Sequence, residues 1–150
     1  SEKILVPALG ESIITKVFID FAHTPDAINT AITALKKHYK KDITIVFGCG
    51  GERDKNKRKK IGKIVNNLCN KVFVTDDNPR GEKPDTIRKA IIRFIKKEKV
   101  TEIGNRTSAI HSAIKLSNSN EVILIAGKGH EDIQDYGKKK FKISDHKIVR

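Results

Sequence analysis

The chain has 150 residues, 31 lysines and arginines against 18 acidic residues, a formal net charge of +13 and two cysteines. That length argues for one domain that buries roughly 70% of the surface its unfolded chain would expose, and two cysteines make no disulfide framework. No apolar run approaches the ~20 residues that span a bilayer, so a cytoplasmic setting without a membrane partner is expected.

The positive charge leaves two readings open. It suits a polyanionic partner such as nucleic acid, or it is a lysine-rich surface, since most of it is lysine in short scattered clusters. Aromatic residues are few, so no stacking platform for single strands stands out.

In chain order, Val17 to Ile19 reads as a strand. Pro25 opens a helix with Asp26 in its first turn and Ala27, Ile28, Ala31, Ile32 and Leu35 at helical spacing. Ile43 to Phe47 is a second buried strand, running into Gly48-Cys49-Gly50-Gly51. A basic amphipathic helix covers Lys57 to Leu68, with Ile61, Ile64, Val65 and Leu68 inside, and Lys71 to Thr75 is a third strand. The spacing predicts a helix from Pro84 to Lys97, a short strand at Val100 to Ile103 and a helix from Thr107 to Leu116. Glu121 to Ala126 is the most convincing central strand, and Lys140 to Ile143 reads as an edge strand after the turn at Tyr136-Gly137.

Repeated strand–helix units predict an α/β, Rossmann-like fold: a mostly parallel, doubly wound sheet with an antiparallel edge strand. In such sheets ligands bind outside the carboxyl ends of the strands. Four polar or glycine-rich loops follow strands here: Asp20 to Pro25, Gly48 to Arg53, Asp76 to Arg80 and Gly127 to Glu131.

Each loop carries a chemical and a plain structural reading. Arg80 offers a planar fork of donors suited to a carboxylate, Asp77 and the Asn78 side-chain oxygen can accept from an ammonium group, and Pro79 stiffens the loop. An Asx-type turn with a surface arginine explains the same residues. Arg53 can bind a carboxylate or phosphate beside backbone N–H groups that glycines expose, or close a tight strand-to-helix turn. Gly127-Lys128 lacks the remainder of a P-loop. Glu131 can hold an ammonium group, and His130 reads more simply as a structural histidine. Asp20 and His23 can meet a nucleotide, while Thr24 caps the helix that Pro25 opens. The cysteines show no metal-ligand pattern, and no metal site is expected.

Taken together, DFAHTPDA, FGCGGERDKNKR, TDDNPRGEKP and AGKGHED, over residues 17 to about 146, resemble the C-terminal domain of the Mur ligase family. DNPR is the most specific element and resembles the branch that adds meso-diaminopimelate in peptidoglycan synthesis. The resemblance implies that Asp77, Asn78, Pro79 and Arg80 recognise the distal end of meso-diaminopimelate and that Arg53 binds one of its carboxylates. It further implies that Gly127 and Glu131 complete the pocket, and that Asp20 and His23 contact ATP.

The implied reaction is ATP-dependent amide formation. A UDP-N-acetylmuramoyl dipeptide is phosphorylated on its terminal carboxylate, with Mg2+ assisting, and the diaminopimelate amine displaces the phosphate. The family's P-loop and its modified catalytic lysine belong to a central domain, and its UDP-binding part to an N-terminal one. Neither is found in these residues, and a final helix is expected to be truncated. The chain is therefore expected to be a monomer that carries no catalytic residue of its own and does not ligate alone. Two alternatives stay open: an orphan domain that binds an amino acid without catalysis, and a basic nucleic-acid-binding module. Residues 1–16 are expected to be an atypical N-terminal segment. Within them ILVPALGES, Ile4 to Ser12, resembles the start of a lipoyl domain from a 2-oxo acid dehydrogenase acyltransferase.

Overall fold

A computed structural model describes residues 2–7 and 14–150. Most of the ILVPALGES stretch, residues 8–12, lies outside the described residues. The strands are β1 (Glu2–Pro7), β2 (Ile14–Asp20), β3 (Asp42–Phe47), β4 (Lys71–Val74), β5 (Val100–Glu102), β6 (Glu121–Ala126), β7 (Ile133–Asp135) and β8 (Lys140–Lys142). The helices are α1 (Pro25–Tyr39), α2 (Asn56–Leu68), α3 (Pro84–Ile92), α4 (Arg106–Lys115) and α5 (Asp145–Val149).

The main sheet has the order β1-β2-β6-β3-β4-β5, parallel throughout except for β1. β6 after Glu121, and β3 apart from Asp42 and Thr44, read as apolar runs because both faces of a parallel sheet are covered by helices. One face packs Ile28 and Ile32 of α1, Ile61 and Val65 of α2, and Ile87 and Ile91 of α3 against the sheet. The other packs Ala109, Ile110 and Ala113 of α4 and Val149 of α5 against Val17, Ile19, Ile123 and Ile125. The chain reverses direction across the sheet where β6 returns between β2 and β3. That switch point opens a crevice at the carboxyl ends of the strands.

Local signals explain the helix starts. Thr24 accepts from the Ala27 N–H at 3.2 Å with Pro25 in the first turn, and Asn105 accepts from the Ser108 N–H at 2.9 Å.

Three expectations change. The antiparallel edge strand is β1, in register with β2 from Glu2–Ile19 to Pro7–Ile14. Lys140–Lys142 pairs instead with β7 in a separate two-stranded ribbon. The third helix stops at Ile92, not Lys97. The Phe94 and Ile95 N–H groups bond to carbonyls three residues back, and the Asn66 side chain takes the Lys96 N–H at 2.9 Å. Tight turns replace the last helical turn because α2 supplies the next acceptor.

β1 is tied to the far end of the chain. Glu2 meets Arg150 Nη2 at 3.0 Å and His146 Nε2 at 2.7 Å, while Ile4 and Val6 pack on the α4–α5 face.

Candidate functional site

The glycine loop after β3 and the Asp76–Arg80 loop after β4 lie backbone against backbone. The Gly51 N–H donates to the Asn78 carbonyl at 2.8 Å, and Arg80 Nη1 donates to the Gly51 carbonyl at 2.9 Å. A Cβ at Gly51 would overlap the Pro79 carbonyl oxygen, and one at Gly48 the Thr75 carbonyl oxygen. These glycines serve close approach, which only a residue without a side chain permits.

The two loops are braced from behind. Arg58 of α2 grips Glu82 bidentately at 2.7 and 2.9 Å and also reaches the Gly50 carbonyl. Its hydrogen bonds pull the Glu82 carboxyl down to about 2. Asp76 belongs to the brace and not to the cleft: Arg88 Nη1 lies 2.5 Å and the Tyr136 hydroxyl 2.6 Å from its two oxygens. Burial, together with that bond to Asp76, raises the Tyr136 phenol above its ordinary range.

Beneath the loops Arg106 and Asp145 form a bidentate pair at 2.7 and 2.8 Å. The same guanidinium donates to the Asp76 and Ala126 carbonyls at 3.2 Å, so it pins the ends of β4 and β6 together.

Between these loops lies a cleft of about 310 Å³, lined by His23, Arg53, Asp77, Asn78, Arg80, Gly127 and Glu131 together with Phe21, Gly50 and Lys57. It thus gathers seven of the nine residues singled out in the sequence. Its arginines come from the loops after β3 and β4, Lys57 from the first turn of α2, and its acids from the loops after β4 and β6. Arg53 is exposed and uncommitted among the described residues. Arg80, at φ 54°, spends Nη1 on the Gly51 and Asn78 carbonyls, and its Nε–Nη2 edge makes no hydrogen bond among the described residues. Gly127, at φ 116°, leaves room for Asp77, whose Oδ2 would lie 2.9 Å from any Cβ there.

Pro79 does not line the cleft; it is buried behind the loop. Asp20 lines a second cleft of about 510 Å³ with Glu2, Phe21, Lys128, His130 and Glu131. Its Oδ1 accepts from the Ala22 N–H at 2.8 Å. His23 stands at the rim, Nδ1 donating to the Phe21 carbonyl at 2.9 Å, so Nε2 is its remaining ring nitrogen. A larger hollow of about 1010 Å³ lies on the other side of Arg80, but of the expected residues it gathers Arg80 alone.

One residue role changes. The Asn78 oxygen is not available to an ammonium ligand, because it already accepts from Lys128 Nζ at 3.0 Å and from the Asp135 N–H at 2.9 Å. Lys128, which its sequence context does not single out, stands behind these residues. It is fully buried, with Asp77 Oδ1 at 3.5 Å and Glu131 Oε1 at 3.8 Å. Gly127-Lys128 reads in sequence as a failed P-loop, and lysine is among the residues least often buried.

Among the described residues, Glu2, His130 and His146 have metal-ligand chemistry, with donor atoms within 4.8 Å of one another. The two histidine rings stack at 4.3 Å and 11°, and Glu2 Oε2 lies 2.7 Å from His146 Nε2 and 4.0 Å from His130 Nε2.

Comparison with known proteins gives the family and the fold. The profile of the Mur ligase glutamate ligase domain matches residues 9–129. UDP-N-acetylmuramoyl-L-alanyl-D-glutamate–2,6-diaminopimelate ligase of Rickettsia felis is 48% identical over 138 residues, 91% of this chain and 26% of that protein. The enzyme of that name from Zymomonas mobilis is 50% identical over 123 residues, 82% of this chain and 25% of its own length. A solved structure of a ligase of that name superposes on all of the chain with a TM-score of 0.84 and 32% identity, using 30% of the longer chain. Folylpolyglutamate synthase of Thermotoga maritima, at 19% identity and a TM-score of 0.58 over 83% of this chain and 26% of its own, shares the fold. The chain spans about a quarter of the length of the curated relatives it matches.

Proposed function

The chain belongs to the Mur ligase family as its C-terminal domain, and from that premise we propose that it serves a ligase joining meso-diaminopimelate to UDP-N-acetylmuramoyl-L-alanyl-D-glutamate. Its part is to hold the incoming diamino acid in the 310 Å³ cleft. The observation that carries the reading is the split of charge in that cleft: uncommitted guanidinium edges on Arg53 and Arg80, carboxylates on Asp77 and Glu131. A zwitterionic amino-acid end needs both kinds of group within one small volume.

ATP with Mg2+ supplies the activation of the dipeptide carboxylate. This chain's residues hold and orient the second substrate. Arg80 and Arg53 clamp carboxylates, and Asp77 and Glu131 receive an ammonium group. The remaining amine then points out of the cleft towards the activated carbonyl, where it forms the amide as phosphate leaves. Fixing the nucleophile in this way replaces a bimolecular encounter with an oriented one. Asp20 and His23 place a carboxylate and an imidazole beside the exposed ring of Phe21, groups of the kind that meet the sugar and base of a nucleotide. The reaction belongs to the cytoplasm, where nucleotide-linked precursors and ATP are found.

Titration of the 15N-labelled chain with meso-diaminopimelate and with L-lysine, followed by NMR, tests the reading. Diaminopimelate is expected to shift Gly50, Asn78 and Gly127, L-lysine to do so far more weakly, and Arg80→Ala to abolish the difference. Equal response to both amino acids, or none at millimolar ligand, would sink it.

A further inference from the structure

Lys128 touches the cleft only from behind. It lines the neighbouring 510 Å³ cleft and does not line the 310 Å³ one, yet its ammonium reaches three side chains that do. It lies 3.0 Å from Asn78 Oδ1, 3.5 Å from Asp77 Oδ1 and 3.8 Å from Glu131 Oε1. An ammonium group has three donors and no acceptor, and the second partner of Asn78 Oδ1, the Asp135 N–H at 2.9 Å, is also donor-only. Neither would tolerate an NH2 group in that place. The Asn78 amide therefore has one orientation, with Oδ1 held by these two donors and Nδ2 left as its donor.

We propose that Lys128 is a positioning residue that sets the hydrogen-bonding sense of the cleft wall. By holding Asn78 Oδ1, it turns that side chain into a donor for a ligand carboxylate next to Arg80. The same buried charge is shared with Asp77 and Glu131, which keeps the acceptors on one wall and the donors beside them. A buried lysine left without such partners would be costly, so the three contacts and the orientation of the amide stand or fall together. This inference rests on the reading of the cleft as a diamino-acid site and deepens it: the distal carboxylate that distinguishes meso-diaminopimelate from L-lysine meets Asn78 Nδ2 as well as arginine.

The test extends the same titration to Lys128→Met, which keeps the stem and removes the ammonium, and to Asn78→Asp, which keeps the shape and removes the NH2. In the unsubstituted chain the Asn78 side-chain NH2 signals should move with diaminopimelate and not with L-lysine. Lys128→Met should lower the preference for diaminopimelate about tenfold, the worth of one charge-assisted hydrogen bond, and the NH2 signals should respond more weakly, with the Asp135 N–H alone left to hold Oδ1, while the core resonances stay in place. A preference left intact in folded Lys128→Met would overturn the role of Lys128 alone. Should Lys128→Met not fold, Asn78→Asp decides: loss of the preference supports the inference, and retention overturns it. No response in the unsubstituted chain would overturn the diamino-acid reading itself, and this inference with it.

Discussion

Arg106 and Asp145 meet as a bidentate pair with neither side chain exposed, and the arginine's remaining donors hold the carbonyls at the ends of β4 and β6. The pair therefore links α4 and α5 to the two loops that carry Asp77, Asn78, Gly127 and Glu131. Asp145→Ala leaves a buried guanidinium without its counter-ion, a loss of about 3–5 kcal/mol. Urea unfolding of the variant against the parent chain measures it. Replacing both partners by apolar residues of similar volume should cost less than Asp145→Ala alone.

Gly51 is a point where the two cleft loops meet backbone to backbone. Gly51→Ala drives a methyl group into the Pro79 carbonyl, and overpacking of this kind costs about 1–3 kcal/mol. Because the displaced atoms belong to the loop of Asn78 and Arg80, the response to diaminopimelate should weaken along with the thermal midpoint. A drop in midpoint with unchanged ligand response would separate the two loops functionally.

Much of this architecture is legible in the sequence, and the failures have physical causes. β6 declares itself as a continuous apolar run from Val122 and β3 as one broken only by Thr44, and the four loops after strands mark the rim. β1 hides because Leu5 faces outward beside Lys3, which blurs the alternation of Ile4 and Val6. Arg106 sits in the first turn of α4, where the helix dipole disfavours a cation; that is the one local hint that it serves a buried partner, and Asp145 lies 39 residues away. The orientation of the Asn78 amide depends on the Asp135 N–H, 57 residues on. Sequence chemistry finds which side chains gather, but the sense in which each is used comes from partners that only the fold supplies.

Glu82 gives the brace a pH signature. Its carboxyl is held at about 2, below its ordinary 4.5, chiefly by the hydrogen bonds from Arg58. A group depressed in the folded state contributes stability that is complete above its unfolded value and fades as the pH falls through the folded one. The stability difference between the parent chain and Glu82→Gln should therefore be constant near neutrality, shrink below about pH 4.5 and approach zero near pH 2. A difference that stayed flat over that range would mean that the Arg58–Glu82 contact does not persist in solution.

Cys49 and Cys69 are buried, and burial pushes each thiol up to about 12. The thiolate is the reactive form, so both should resist a thiol reagent near neutral pH in the folded chain and react at once in denaturant. Cys49 lies in the glycine loop, so rapid native-state reaction there would reveal that the loop opens.

Arg80 is held in the left-handed region at φ 54°, a conformation that costs a residue with a side chain roughly 1–2 kcal/mol. Glycine pays little for it. Arg80→Gly and Arg80→Ala both remove the guanidinium and its bond to the Gly51 carbonyl, so they lose the same interactions and differ in backbone freedom. Arg80→Gly should be the more stable of the two by about 1 kcal/mol, after the extra freedom glycine gains in the unfolded chain is set against the relief of strain. Both should respond equally to diaminopimelate and L-lysine. That combination would identify the strain at position 80 as retained for the side chain's sake, since the loop itself would be better served by glycine. If Arg80→Ala matched Arg80→Gly in stability, the positive φ would be no burden, and the arginine's place in the loop would need no functional explanation.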